Sequence, residues 1–443
     1  MSEPSLTAWR MSTLVKRLGP LLRLASEYTA AHMTARLLAA ISGLMLVRLL
    51  PVSEYGFYTL VLAAFTFICT FSDLGATETL SFFRWRGGKK NRPWIPYFHA
   101  VLRFRRTVFV FGFISSAAYI FYTGRHIGAD TQTILGGIAL MGLAAWFAIQ
   151  SGIISYVLKL EQRFRQAYAV ELSNEGIKLL AVGLIWILGF TTALAGMTSV
   201  ALGALIAAIL ATRLLEQRFV KSGIPTQRQD RHNSRMLRGQ IMPILPGTIY
   251  FTLQGPLIVW LAAYYGSVVN VAEVGALGRI GALIGVIAGF TGTVFVPRLL
   301  AIRDEALFLM RYLHWWLVML TLGGIMMLAV LIFPDVLLYL LGSSYSGLHT
   351  ELVISAATAV IATWGAFSWH INRARGWVKY QPYRVPVIVA GQIPMFFALD
   401  LSTTPGVLLF SLGSMILDVL FQTLISVVGF FTRHTQMKPI THA

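Results

Sequence analysis

Apolar runs long enough to cross a bilayer follow one another along almost the whole chain. Two of them, FYTLVLAAFTFICTF at 57–71 and LVMLTLGGIMMLAVLIF at 317–333, are apolar on every face, like helices that are surrounded by lipid. A span across a hydrocarbon core of roughly 30 Å needs about 20 such residues. The pattern predicts an all-α polytopic membrane protein with about 12 transmembrane helices. The predicted spans are 28–50, 57–82, 107–123, 134–158, 172–190, 193–215, 241–265, 272–297, 312–333, 349–371, 384–400 and 405–431.

The composition supports this class. Hydrophobic residues make up 56% of the chain and charged residues only 12%, and the mean hydropathy is +0.69. Soluble domains carry about 25% charged residues. The polar residues are therefore too few to cover a water-facing surface of this size.

The basic residues are unevenly divided between the two sides of the predicted bundle. If the N-terminus is cytoplasmic, thirty-one of the 36 Lys and Arg residues lie on the cytoplasmic side, whereas only Arg48 and Arg125 lie outside. This bias matches the positive-inside rule and predicts cytoplasmic N- and C-termini. The net charge of +18 is then mostly a topology signal. Nucleic acid is not an expected partner, because the charges are dispersed over many short loops.

The sequence shows no pattern that indicates catalysis. It contains no Walker A motif, no His-Glu-x-x-His pair, no Gly-x-Ser-x-Gly elbow and no cysteine cluster, and Cys69 is its single cysteine. The predicted outer loops are also short, whereas membrane glycosyltransferases usually carry a large external loop or domain. We therefore predict no catalytic residue, no bound metal and no cofactor, and we do not expect an enzyme.

Two short polar breaks indicate that the chain consists of two related halves. The break RLLPVSEYGFYTL at 48–60 resembles NVAEVGALGRIGAL at 270–283, and EYG at 54–56 aligns with EVG at 273–275 at an offset of 219 positions. Each break leads from the first span of its half into the second. Because six spans is an even number, both halves have the same orientation, and a pseudo-twofold axis along the membrane normal is predicted.

This division gives the predicted domain organisation. It comprises an N-terminal segment at 1–27, a six-helix bundle at 28–215, a basic cytoplasmic linker at 216–240, a second six-helix bundle at 241–431 and a cytoplasmic tail at 432–443.

Several motifs resemble those of a known transporter family. They are RLLPVSEYGFY after the first span, SDLGATETL at the end of the second, EVGALGRIG at the start of the second half, LLGSSYSG at 340–347 and NRARGWVKYQP at 372–382. Together they resemble the polysaccharide flippases, the O-antigen and exopolysaccharide exporters of the multidrug/oligosaccharidyl-lipid/polysaccharide (MOP) superfamily.

The resemblance implies a fold, a cargo and a compartment. It implies a V-shaped pair of six-helix bundles around a central cavity in the bacterial inner membrane. It also implies transport of a polyprenyl-diphosphate-linked oligosaccharide from the cytoplasmic to the periplasmic leaflet. The expected partners are this lipid-linked oligosaccharide, membrane lipids, and polysaccharide polymerase and export proteins.

Three basic residues lie well inside predicted spans, away from the span ends: Arg36, Lys178 and Arg279. An ionised group at mid-membrane costs roughly 2.5–3.5 kcal/mol on insertion scales, so each is expected to face protein or water. Guanidinium groups match phosphate oxygens bidentately, and lysine offers a mobile point charge. These three residues are the predicted substrate-binding candidates. For Lys178 there is a simpler alternative, an ion pair with Glu175 three residues earlier.

Among the acidic residues within predicted spans, three are further candidates: Asp73, Glu78 and Asp418. Each is a candidate for binding a coupling proton or sodium ion, or for neutralising a neighbouring arginine. Charge pairing is the simpler of these two interpretations.

The predicted function is therefore that of a lipid-linked oligosaccharide flippase that works by alternating access. One alternative is a cation-coupled multidrug exporter of the same fold, whose cavity should be acidic or neutral. Another is a non-transporting membrane subunit of a polysaccharide synthase, in which charges inside the spans would be an avoidable cost.

Overall fold

The computed structural model describes residues 30–86, 94–219, 227–242, 245–290, 299, 302, 304–377 and 379–431. The regular structure in these ranges is helical. The helices are α1 Ala30–Leu49, α2 Val52–Phe71, α3 Ala76–Arg86, α4 Trp94–His126, α5 Thr131–Leu160, α6 Phe164–Leu188, α7 Ala193–Phe219, α8 Gln227–Ile241, α9 Leu245–Tyr265, α10 Val268–Phe290, α11 Glu305–Ile332, α12 Pro334–Leu341, α13 His349–Ala374, α14 Arg384–Ala398 and α15 Thr404–Phe431. The predicted segments 1–27 and 432–443 lie outside the described residues.

Ten of the described helices are long and apolar enough to cross a membrane. The other two predicted spans, 172–190 and 384–400, correspond to α6 and α14. Helix α6 carries the charged residues Glu171, Glu175 and Lys178. Helix α14 has only 15 residues, a length of about 22 Å at 1.5 Å per residue. The predicted all-α class and the division into two helical bundles are confirmed.

The second predicted span, 57–82, is not one continuous helix. Helix α2 ends at Phe71, and a turn precedes α3. Leu74 and Gly75 have positive φ angles of 40° and 78° in this turn. The Asp73 carboxylate accepts a hydrogen bond from the Thr77 amide at 3.2 Å. The acid in SDLGATETL therefore helps to start a helix as well as lying within a span.

The predicted linker contains a helix of its own. Helix α8 occupies Gln227–Ile241 and packs on α3 and α4. Its buried side, which includes Leu237 and Ile241, joins the hydrophobic core of the first bundle. The described arginines Arg235 and Arg238 are exposed. The part of the linker that α8 covers is therefore an amphipathic helix docked on the first bundle.

Among the described residues, the hydrophobic core is continuous near the predicted outer side and divided near the predicted cytoplasmic side. One cluster joins residues of the first bundle, such as Leu60, to residues of the second, such as Leu277. Toward the predicted cytoplasmic side, separate clusters lie within the first bundle around Val157 and within the second around Phe367. The bundles thus share one core at the predicted outer side and have separate cores at the predicted cytoplasmic side.

The aligned acids of the two polar breaks have equivalent positions in the structure. Glu54 accepts a hydrogen bond from the amide of Ala193, the first residue of α7, at 2.7 Å. Glu273 accepts a hydrogen bond from the hydroxyl of Thr404, the first residue of α15. Helices α7 and α15 contain the last predicted spans of the two halves. Each acid therefore ties the second span of its bundle to the start of the sixth, where a helix N-terminus favours negative charge.

The aligned glycines lie where the two bundles meet. A Cβ atom at Gly56 on α2 would lie 2.4 Å from the carbonyl oxygen of Val268, and one at Gly275 on α10 would lie 2.4 Å from Oγ1 of Thr59. Such distances are sterically forbidden. Helices α2 and α10 can therefore cross closely only because both positions lack a side chain.

Candidate functional site

A central cavity of about 400 Å³ lies between the bundles. Its walls come from α2 of the first bundle and from α9, α10, α13 and α15 of the second. Small and hydroxyl-bearing residues predominate among those that line it, including Thr59, Thr66, Gly255, Gly275, Gly278, Ser355, Thr358 and Ser411. Arg279 is the charged side chain on this wall within the part of the chain that the structure describes.

The glycines of α10 help to make this space. The segment EVGALGRIGAL places Gly275, Gly278 and Gly281 three residues apart, and all three line the cavity. A Cβ atom at Gly278 would meet no heavy atom within 4 Å. The glycine face of α10 therefore leaves room beside Arg279.

A second, smaller cavity, the N-bundle pocket, holds about 100 Å³ within the first bundle. Helices α1, α2, α6 and α7 contribute to its walls, and its polar lining includes Ser42, Tyr58, Asn174, Glu175 and Lys178. Arg279 from the second bundle also lines it. This arginine therefore borders both cavities.

The Arg279 side chain crosses from the second bundle into the first. Its Nε donates a hydrogen bond to the Tyr55 hydroxyl at 3.2 Å, and Tyr58 lines the N-bundle pocket beside it. It passes over Gly43 of α1, where a Cβ atom would lie only 3.0 Å from the arginine Cδ. Among the residues that the structure describes, no carboxylate is within ion-pairing distance of Arg279.

The structure brings two of the three predicted cationic residues together. Lys178 and Arg279 both line the N-bundle pocket. Lys178 forms an ion pair with Glu175 through a short contact between Nζ and the carboxylate. This is the alternative that the sequence predicted for Lys178. The charge of Lys178 is thus compensated within its own helix, whereas that of Arg279 is not.

Arg36 lies elsewhere. Its side chain on α1 is exposed, and it lines neither the central cavity nor the N-bundle pocket. The depth of a residue along a span does not determine which way its side chain points, and the side chain of Arg36 points away from both cavities.

Each of the three candidate acids forms an ion pair with an arginine. Asp73 lies 3.4 Å from Arg105. Asp418 makes two hydrogen bonds, of 2.6 and 2.7 Å, with Arg384. Glu78 of the first bundle lies 2.9 Å from Arg373 of the second, and both side chains are more than half exposed. This last pair links the bundles on the predicted cytoplasmic side.

Arg105 and Arg384 are counted among the basic residues of the predicted cytoplasmic side, yet both are buried. Arg105 is a buried residue of α4, and Arg384 is a buried first residue of α14. The guanidinium of Arg384 also lies 3.8 Å from the ring centroid of Phe251 and 4.9 Å from that of Trp369. Ion pairing and aromatic packing together make burial of this charge tolerable.

Tyr55 and Tyr58 are functional candidates that the sequence analysis missed. They are three residues apart on α2, so they lie on one face of that helix. The alignment of the two breaks placed α2 and α10 in equivalent positions, but it did not show that a side chain of one reaches the other. No group of three or more His, Cys, Asp or Glu side chains suited to a metal ion occurs within the described ranges.

The sequence matches no family model, and no curated protein is significantly similar to it. Solved structures are similar in fold. One is the lipid II flippase MurJ in an inward closed conformation, with a TM-score of 0.66 and 15% identity over 92% of this chain and 89% of that chain. Another is an inward-facing multidrug resistance MATE family transporter of the MOP superfamily, with a TM-score of 0.62 and 15% identity over 89% of this chain and 95% of that chain.

A third similar structure is a MOP superfamily transporter from Pyrococcus furiosus, for which a reverse polarity of the binding pocket suggests a different function. Its TM-score is 0.59, with 16% identity over 92% of this chain and 95% of that chain. At these identities the likeness establishes the fold. The chain therefore has the fold of the MOP superfamily transporters.

Proposed function

We propose that this chain, which has the fold of the MOP superfamily transporters, is a flippase for a polyprenyl-diphosphate-linked oligosaccharide. It would move this lipid from the cytoplasmic to the outer leaflet of a bacterial inner membrane by alternating access. The observation that carries the proposal is the position of Arg279, a cation without a carboxylate partner among the described residues, on the wall of a cavity between the bundles.

The chemistry of Arg279 suits an anionic cargo. A guanidinium group offers five N–H donors in a planar fork that matches two oxygens of a phosphate group. It is also weakly hydrated, and its charge interacts strongly in an apolar cavity. Most of the other lining residues are small or hydroxyl-bearing, so they leave space for a head group and offer hydrogen bonds to sugars.

The drug-exporter alternative receives less support. An exporter of organic cations needs a negative or neutral cavity, whereas the charge on this cavity wall is positive. The candidate coupling acids Asp73 and Asp418 already have arginine partners. The Pyrococcus furiosus structure suggests that pocket polarity differs with function in this fold, and the MurJ structure is that of a flippase for a lipid-linked substrate.

The arrangement of the core suggests how the cargo enters. The bundles are joined at the predicted outer side and have separate cores at the predicted cytoplasmic side. We infer that the head group enters between the bundles from the cytoplasmic leaflet and reaches Arg279, while the polyprenyl chain stays in lipid. Closure on the inner side and opening on the outer side would then release it. Polysaccharide polymerase and export proteins remain proposed partners.

A binding measurement tests this proposal. The purified protein in lipid nanodiscs is titrated with undecaprenyl diphosphate, beside the Arg279→Gln and Arg125→Gln variants. Arg125 lies on the exposed end of α4, so the control removes the same charge away from both cavities. We expect Arg279→Gln to weaken binding at least tenfold, because a charge-assisted hydrogen bond contributes roughly 1.5–3 kcal/mol.

Three outcomes are informative. A loss confined to Arg279→Gln supports the proposal, whereas an equal loss in Arg125→Gln would indicate only nonspecific charge attraction. If the parent protein ignores undecaprenyl diphosphate but binds organic cations, the exporter alternative replaces the proposal. Arg36→Gln, measured in parallel, tests the remaining prediction that this exposed arginine contributes to binding.

A further inference from the structure

We propose that Tyr55 and Tyr58 are positioning residues that hold Arg279 away from the cargo until an anion binds. In the unloaded protein the guanidinium would fasten the two bundles together near the predicted outer side. A phosphate group in the central cavity would take it from the tyrosines and thereby loosen that closure. The nature of the anion rests on the proposed function, whereas the competition itself does not.

The contact between Arg279 and Tyr55 is directional and crosses the bundle interface. Other contacts at the crossing of α2 and α10, such as Gly56 with Val268, depend on shape alone. The Tyr55 side chain is fully buried, and a buried hydroxyl without a partner is costly. Arg279 supplies its hydrogen bond. Separation of the helices would therefore break a bond that the apolar surroundings cannot replace.

A phosphate group is the stronger acceptor. The tyrosine hydroxyls are neutral, whereas a phosphate group adds the attraction of opposite charges and can accept two parallel hydrogen bonds from one guanidinium. Arg279 borders the central cavity as well as the N-bundle pocket, so its flexible side chain can turn toward an anion without movement of the helix backbone. The same guanidinium cannot remain in both positions. Anion binding and outer closure are therefore linked and oppose each other.

Competition makes a clear prediction about affinity. An internal competitor lowers the fraction of protein molecules in which the binding group is free. The apparent dissociation constant for the ligand rises as that fraction falls. Tyr55→Phe removes the competing hydroxyl and keeps the ring. We expect this variant to bind a diphosphate about tenfold more tightly than the parent, a factor typical of one hydrogen bond to a charged group.

The chain provides a matched control in Tyr345. This tyrosine is also buried, and its ring packs edge-on against Tyr55 at a centroid distance of 6.5 Å. Its hydroxyl has no hydrogen-bond partner among the described residues. Tyr345→Phe therefore removes a hydroxyl from the same layer without touching Arg279, and its affinity should equal that of the parent. Tyr58→Phe repeats the test in case Tyr55→Phe fails to fold.

A distance measurement tests whether anion binding loosens the closure at the predicted outer side. Spin labels at Gln132→Cys and Thr350→Cys, in a Cys69→Ser background, report the separation of the two bundles at the predicted outer side, where both residues are exposed. Undecaprenyl diphosphate should lengthen this distance in the parent, and undecaprenol, which lacks the phosphates, should not. A lower diphosphate concentration should suffice in Tyr55→Phe.

The ligands separate the two proposals. Titrations use undecaprenyl diphosphate and inorganic diphosphate. If only inorganic diphosphate binds, and binds more tightly to Tyr55→Phe, the competition is supported and the flippase proposal is not. If undecaprenyl diphosphate binds equally to the parent and both tyrosine variants, the competition is overturned and the flippase proposal stands. Weaker binding in the tyrosine variants would also overturn the competition, because the hydroxyls would then be orienting Arg279 for the ligand. If neither ligand binds the parent, both proposals are overturned.

Discussion

The ion pair between Asp418 and Arg384 shows how single residues can carry charge inside this protein. Each side chain is about one-tenth exposed, and two hydrogen bonds join them. Two desolvated charges gain from each other only while both are present. The pair is therefore expected to be a structural unit rather than a site for a mobile ion.

Two variants test this expectation. Asp418→Asn leaves the Arg384 guanidinium buried without a countercharge, and we expect it to lower the free energy of unfolding by about 3–5 kcal/mol. The double variant Asp418→Leu with Arg384→Met replaces both charges by apolar groups and should be about as stable as the parent. Thermal unfolding measures stability, and flipping of undecaprenyl diphosphate in proteoliposomes measures transport. A stable but inactive double variant would contradict this expectation and show that the charged pair takes part in transport.

At the residue scale, the sequence predicts ion pairs within one helix but not those between helices. Local spacing was enough to propose the pair of Lys178 with Glu175, because three residues bring side chains together on any helix. The partners of Asp73 and Asp418 come from other helices, and sequence spacing holds no information on such contacts. Arg105 lies just before the predicted span 107–123, but α4 already begins at Trp94. Arg384 begins the predicted span 384–400, and hydropathy does not show that neighbouring helices bury it.

At the scale of helices, the crossing of α2 and α10 depends on the absence of a side chain. Gly56 faces the carbonyl oxygen of Val268, an atom of the backbone that cannot turn aside. A methyl group there must push the two helices apart. Overpacking of this kind typically costs about 1–3 kcal/mol.

Gly56→Ala tests the crossing. We expect this variant to unfold at a lower temperature and to show a longer distance between labels at Gln132→Cys and Thr350→Cys without ligand. Gly278→Ala on α10 is the control, because a Cβ atom there meets nothing within 4 Å. If both variants match the parent, the close crossing does not hold the outer side together.

The repeat could be predicted from the sequence because the aligned acids make the same kind of hydrogen bond in both bundles. Glu54 and Glu273 each tie the second span of a bundle to the start of its sixth, so the same residue type recurs at the same position. The break between α2 and α3 was not readable. Its signal, Asp73 followed by Leu74 and Gly75, is short and lies within a run that hydropathy averages into one span.

At the scale of the whole molecule, the division of the hydrophobic core determines which end is easier to open. Opening the predicted outer side would separate a cluster that includes residues of both bundles. At the other end, each bundle has its own cluster, and the exposed pair of Glu78 with Arg373 joins them. Exposed pairs of this kind contribute about 0–1 kcal/mol. The unloaded protein should therefore open first toward the side predicted to be cytoplasmic.

Under the proposed function, the distribution of charge predicts the energy source for flipping. Arg279 remains attached to α10 and does not cross the membrane, so the charge that moves is that of the cargo. An inside-negative potential favours outward movement of an anion by about 2.3 kcal/mol per charge per 100 mV. We expect outward flipping of undecaprenyl diphosphate in proteoliposomes to accelerate when the cytoplasmic side is made negative and to slow when the potential is reversed. A sodium gradient without a potential serves as the control. A rate that follows sodium and ignores the potential would contradict this expectation and point to a carboxylate that exchanges its arginine for the ion during the cycle.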